Sequence, residues 1–156
     1  VADLLECVIQ MKGLAESAGR LAKMAQDTAE PRWRLRPSPG VWAPIEVLGH
    51  LADFEVVVGA RLRAMLTVDE PPLQQIDGAR LAERARYLDW PLARALERFE
   101  RRRRENLELL ETCSAEDLGR TGVHPARGRL TVADVVAVVL AHDTDHLGQI
   151  RTRLAL

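Results

Sequence analysis

Residues 140–150 read Leu140-Ala141-His142-Asp143-Thr144-Asp145-His146-Leu147-Gly148-Gln149-Ile150, an apolar run interrupted by two histidines four positions apart. Four residues carry a helix just past one turn, so both imidazoles leave the same face, one stacked over the other. Val132, Val135, Val139, Ile150 and Leu154 form the stripe that marks the buried side of this helix, and the histidines lie on or beside it. An imidazole facing a core needs partners for its ring nitrogens, because an unsatisfied buried polar group costs about 1–3 kcal/mol. Two arrangements meet that need. One is a metal ion held from a single rigid helix; the other is bonding to backbone carbonyls, water or the neighbouring Asp143 and Asp145. Neither an HExxH motif nor a cysteine cluster accompanies the pair.

The rest of the chain repeats the helical pattern. Leu4, Leu5, Val8, Met11, Leu14, Leu21 and Met24 recur at helical spacing and predict a first helix from Ala2 to Asp27, ended by the Pro- and Gly-bearing linker Pro31 to Gly40. A second helix is expected from Pro44 to Thr67, with Pro44 suited to a first turn and Pro71-Pro72 lying beyond the end. A short helix over Gly78 to Leu88 precedes a third long one, opened by Pro91, capped by Asp89 or Trp90 and running to Thr112. Ser114 to Asp117 reads as a brief helical turn and Gly122 to Gly128 as loop. Thr131, with Asp134 three residues on, starts the fourth long helix. No segment shows a clean strand period. The expectation is an all-α single domain over residues 1–156, a four-helix bundle with a long crossover connection.

Composition agrees. The 156 residues are 47% hydrophobic and 29% charged, proportions of a globular protein and not of a disordered one. A net charge of -1 gives no global field toward nucleic acid or a membrane surface. No apolar run approaches the ~18 residues of a spanning helix and no signal peptide is legible, so a cytoplasmic protein is expected. Cys7 and Cys113, far apart and without a CxxC, fit two reduced thiols there.

One internal echo bears on the histidines. Pro37-Ser38-Pro39-Gly40-Val41-Trp42-Ala43-Pro44-Ile45-Glu46-Val47 parallels Pro125-Ala126-Arg127-Gly128-Arg129-Leu130-Thr131-Val132-Ala133-Asp134-Val135, and each stretch opens a long helix that carries histidine. His50, at the edge of the stripe Val47, Leu51, Phe54 and Val58, would then face the last helix one turn before His142. Three neutral imidazoles with an open position are the arrangement of a catalytic metal, whereas structural zinc sites are closed by four protein ligands.

The stretch Arg36-Pro37-x-Pro39-Gly40-x-Trp42-x-Pro44-x-Glu46-Val47-Leu48-Gly49-His50-Leu51-Ala52-Asp53, followed by His142-Asp143-x-Asp145-His146-x-x-Gln149-Ile150, resembles the DinB family of damage-inducible four-helix metalloproteins. The resemblance covers nearly the whole chain, including His124 to Gly128 before the last helix. It implies a metal, zinc or nickel, held by His50, His142 and His146, and a homodimer. It also implies thiol-dependent transfer or isomerisation with bacillithiol, mycothiol or glutathione as the low-molecular-weight thiol. Ala43 departs from the pattern, standing where family members often carry Ser or Thr; this affects the cap of the second helix and not the metal ligands.

Around this triad the remaining candidates divide by chemistry. Thiol transfer to a small-molecule substrate needs a cationic or polar recess for the thiol's carboxylates, for which Arg61, Arg151 and Arg153 are available. Hydrolysis needs a carboxylate to take a proton from water, for which Glu46 is available. A third reading is metal binding in a stress response without turnover. Glu46 and Asp53 flank His50 and either orient an imidazole or stand as solvated carboxylates. Gln149, three residues after His146, is placed to bond a substrate or water. Asp143 and Asp145 are expected to point away into helix–helix contacts, His124 to be structural, and Trp42 to anchor packing. Arg101-Arg102-Arg103-Arg104 point four ways around a helix among Glu97, Glu100, Glu105 and Glu108, so a solvated face is expected and not a nucleic-acid patch.

Overall fold

The computed structural model describes residues 4–156. Four long helices build it: α1 (Leu4–Asp27), α3 (Pro44–Thr67), α5 (Leu92–Glu111) and α7 (Val132–Leu154). Between them lie α2 (Glu30–Trp33), α4 (Gly78–Ala85), a 3-10 turn at Tyr87–Asp89, and α6 (Ala115–Leu118). The expected start of the first helix at Ala2 falls outside the described residues. The third long helix begins one residue later than predicted, with Pro91 as its N-cap.

Each long helix packs mainly on two others, giving the cyclic order α1–α5–α3–α7. Consecutive long helices α1 and α3 therefore sit across a diagonal, as do α5 and α7. The long connection 68–91 joins the neighbours α3 and α5. Apolar side chains fill the interior in two clusters, one around Trp33, Leu48, Leu51 and Phe99, the other around Leu14, Leu62, Val132 and Val139.

Helix starts follow local chemistry. Thr131 accepts from the Asp134 N–H at 3.0 Å while Asp134 accepts from the Thr131 N–H at 2.8 Å, a reciprocal capping box. On α3, Ala43 offers no side-chain acceptor, and only the returning half survives: Glu46 accepts from the Ala43 N–H at 2.8 Å. Arg36 adds its Nε–H to the same carboxylate at 2.9 Å. Glu46 is thus buried in a cap and an ion pair, which corrects its reading as a solvated carboxylate or a free base.

Two further expectations are overturned. Residues 122–128 are not simply loop: β1 (Thr121–His124) and β2 (Gly128–Thr131) form an antiparallel hairpin with His124 paired to Gly128. Strands of four residues are too short to show alternation, and Gly128, at φ 75°, supplies the left-handed turn residue. The hairpin also anchors the long connection, since Val123 donates to the Pro71 carbonyl and accepts from the Leu73 N–H.

The arginine run is the second correction. Arg101 and Arg104 are exposed, but Arg103 is 2% exposed. It donates to Asp143 at 2.7 and 3.0 Å, to Glu55 at 2.7 Å and to the Leu14 carbonyl at 2.9 Å, so one guanidinium ties all four long helices. Burial opposes its charge, and Glu55 with Asp143 outweigh that opposition, holding it protonated. Arg102 is half-buried and bonds Asp53 and the Ala52 carbonyl.

Candidate metal centre and its cavity

Packing of α3 against α7 brings His50 beside His142 and His146. Ring centroids lie 5.1 Å apart for His50 and His142, 4.8 Å for His50 and His146, and 4.3 Å for His142 and His146. One nitrogen from each ring falls within 4.8 Å of the other two. His50 Nε2 and His142 Nε2 approach to 3.0 Å, and His142 Nδ1 is buried with no hydrogen-bond partner. Tetrahedral ligation at the usual Zn–N length of about 2.0–2.1 Å separates ligand nitrogens by roughly 3.3 Å. The His50–His142 pair is already near that spacing, and the 4.8 Å bound on the set leaves the rings a small closure to make around an ion.

Two of the imidazoles, His50 and His142, are held neutral, the form that ligates. Burial lowers the pKa of His50 to about 4, with His146 adding to the shift and Asp53 opposing it. Burial lowers that of His142 to about 3, reinforced first by His146 and His50 and then by Arg103 and Arg127. His146 is oriented by its own helix. Its Nδ1 lies 3.2 Å from Gln149 Oε1, and the Gln149 amide donates to Asp145 at 2.9 Å. That bond fixes the amide, so His146 Nδ1 carries the proton and Nε2 is free. Gln149 thus links His146 to Asp145. Asp145 is the outer member of this relay, while Asp143 does face the other helices as expected.

Beside His50 and His142 opens a cavity of about 640 Å³. Phe54, Val57, Ile76, Leu81 and Val138 form apolar walls, and Asp53, Arg61, His124 and Arg127 add the charged or polar groups that concern the chemistry. Asp53 is committed, accepting from the Tyr87 hydroxyl at 2.8 Å and from Arg102 at 2.9 Å. It is not the solvated carboxylate the sequence suggested. Of the three candidate arginines only Arg61 lines this cavity. Arg153 donates to the Trp42 carbonyl at 3.0 Å, joining the end of α7 to the start of α3, and Arg151 is exposed on the outer surface. Trp42 packs on the core as an anchor, its ring 5.4 Å from that of His50.

Sequence reasoning missed Phe54, Tyr87, Arg102 and Arg127 at this site. Phe54 carried a signal, one turn after His50 on the same stripe; the others come from distant segments and had none.

Residues 14–150 match the DinB superfamily, and the chain belongs to it. A curated protein of Oceanobacillus iheyensis, named as a candidate metal-dependent hydrolase, is 28% identical over 111 residues, 71% of this chain. That match spans 64% of the relative's length, just under two thirds. Among solved structures, YfiT from Bacillus subtilis superposes with a TM-score of 0.89 at 18% identity, covering 98% of this chain and 88% of the other. It is described as a candidate metal-dependent hydrolase with an unusual four-helix bundle topology. A histidine variant of a mycothiol-dependent maleylpyruvate isomerase gives 0.74 at 10% identity, over 91% of this chain and 59% of the other. The four-helix bundle protein TT2238 gives 0.66 at 20% identity, over 94% and 98%. Such distant likenesses establish the fold. The fold class expected from the sequence is the one found.

Proposed function

We propose that His50, His142 and His146 hold one divalent transition ion, zinc or nickel, and that the protein is a metal-dependent enzyme acting on a small molecule in the adjoining cavity. An ion there would supply Lewis acidity, lowering the pKa of a thiol or water that it binds. The observation that carries the proposal is three imidazoles converging from two packed helices, with one nitrogen of each within 4.8 Å of the other two.

Within that class we favour thiol transfer. The candidate proton acceptors are engaged: Glu46 in its cap and ion pair, Asp53 with Tyr87 and Arg102. A nucleophile that acidifies easily suits a cavity without a free base. A thiol, ordinarily near pKa 8.5, needs a far smaller shift than water. In the transfer, sulfur bonds to an electrophilic carbon, the leaving group departs with its electron pair, and the thiol proton passes to solvent. The mycothiol dependence of one structural neighbour supports this reading, and the descriptions of two relatives support hydrolysis as the second. Metal-loaded protein should conjugate glutathione or bacillithiol to monochlorobimane faster than buffer alone. Thiol-independent ester hydrolysis without any conjugation would favour the second reading.

Assembly as a homodimer is part of the proposal. Leu4, Val8 and Ile9 expose apolar surface along one end of α1, which a symmetric helix–helix contact would cover. Light scattering should return twice the chain mass, and a monomer at every concentration would contradict it.

A further inference from the structure

Where α3 meets the hairpin, the cavity wall holds two donors that face each other, Arg61 and His124. His124 is 6% exposed, and its Nδ1 accepts the backbone N–H groups of Ala126 and Arg127, each at 3.1 Å. Backbone N–H groups can only donate, so Nδ1 is unprotonated and the ring proton resides on Nε2. That Nε2 lies 3.3 Å from Arg61 Nη2, which is itself a donor. Arg61 spends Nε–H and one Nη2–H on the Gln74 carbonyl, leaving the second Nη2–H beside the imidazole. Two N–H groups at this separation satisfy neither. They need an acceptor between or in front of them, and the space in front of them is the cavity.

The surroundings say what kind of acceptor. Neither Arg61 nor Arg127 has a carboxylate partner among the described residues, and the only acid lining the cavity is Asp53, already paired with Arg102. Burial and the two arginines both keep His124 below its ordinary pKa, in agreement with the neutral ring its turn bonds demand. Away from this cluster the walls are Phe54, Val57, Ile76, Leu81 and Val138. A ligand completing the cavity is therefore anionic at one end and apolar along its body.

We infer that Arg61, His124 and Arg127 form an anion subsite that takes the carboxylate of an amphipathic carboxylic acid, with its apolar body lying along the cavity toward His50 and His142. Two converging N–H groups match the two oxygens of a carboxylate, with Arg127 supplying a further positive charge. A phosphate ester presents more acceptor oxygens than this pair can meet. The subsite itself stands on α3 and the hairpin, with the Gln74 carbonyl of the long connection holding Arg61. Its use for substrate rests on the metal-dependent activity proposed above, and binding to metal-free protein separates the two.

The test is calorimetric titration of the metal-free protein with hexanoate, its neutral isostere hexanamide, and hexyl phosphate. Hexanoate should bind with one site per chain, and the other two should bind more weakly by about tenfold or more, the scale of a lost charge-assisted hydrogen bond. R127Q removes a side chain without a hydrogen bond and leaves the fold intact; it should weaken hexanoate by a similar factor. R61Q should weaken it further, with thermal unfolding recorded to confirm the fold. Equal binding of hexanamide and hexanoate, or no loss in R127Q and R61Q, would overturn the subsite. Tighter binding of hexyl phosphate would overturn the assignment to carboxylates. Since no metal is present, a negative result leaves the three-histidine centre standing, and failure of metal binding leaves the subsite standing.

Discussion

Arg103 and Asp143 share two hydrogen bonds, 2.7 and 3.0 Å long, at the buried centre of the bundle and one residue from His142. The ion pair joins α5 to α7 at the level where α7 presents its first histidine. With Glu55 and the Leu14 carbonyl on the same guanidinium, it fixes the rotation of α7 relative to α3, on which convergence of the three imidazoles depends. A charge cluster here costs desolvation, and the gain is registry.

Arg103→Met should therefore be severe. It leaves Asp143 and Glu55 buried without their cation, and breaking one partner of such a pair costs about 3–5 kcal/mol. Arg104→Met, at an exposed position, should change stability by about 0.5 kcal/mol or less. Urea unfolding of the two variants checks the contrast; similar midpoints would refute the role given to Arg103.

Glu46 makes stability depend on acid. Burial would raise its pKa, but Arg36 and the Ala43 N–H more than offset this and hold it below the usual carboxylate range. A folded pKa below the unfolded one adds stability that is complete above the unfolded value of about 4.3 and is lost as pH falls through the folded one. Glu46→Gln should cost about 1–2 kcal/mol at neutral pH, the scale of a charge-assisted cap. The gap to the parent protein should close as unfolding is repeated toward pH 3. A gap constant with pH would contradict this.

Gly49 lies beneath Tyr87. A Cβ at this position would come within 2.5 Å of the Tyr87 ring, so the ring packs on bare helix backbone. Gly49→Ala should push Tyr87 away, weaken its bond to Asp53 and cost about 1–3 kcal/mol, although alanine is the better helix former. Thermal unfolding would show it, and an unchanged or raised midpoint would refute the contact.

Gln149→Leu tests the relay to His146. It removes the acceptor that sets the imidazole tautomer and leaves the apolar core untouched. Metal affinity should fall by about 10–100-fold with unchanged helicity. Unaltered affinity would make Gln149 a bystander.

Much of this was legible in the sequence because helical periodicity reports burial directly. The stripe on residues 132–154 and the cap at Thr131 locate α7, and Pro44 locates the start of α3, to the residue. The four-residue spacing of His142 and His146 fixes their common face. Arg103 was misread although its position carried the signal. Phe99, Arg103, Asn106 and Leu110 are spaced four, three and four, which is the inward stripe of α5. Four charges in a row masked that period. The ties on Asp53 were not legible, because Tyr87 and Arg102 come from segments that only the folded chain brings together. The hairpin was hidden by strands too short to alternate, and the cap at Glu46 by the lack of a side-chain acceptor at Ala43.

The measurement that bears most directly on the central claim is metal content of untagged protein, reconstituted with zinc or nickel and dialysed. The wild type should retain one ion per chain. His142→Ala and His146→Ala should lose it while keeping their helical content, since alanine favours the helix and the bundle stands on apolar burial. His124→Ala, whose ring faces Arg61 and the hairpin turn, should retain it. No bound ion in the wild type, or loss in His124→Ala with retention in His146→Ala, would contradict the account.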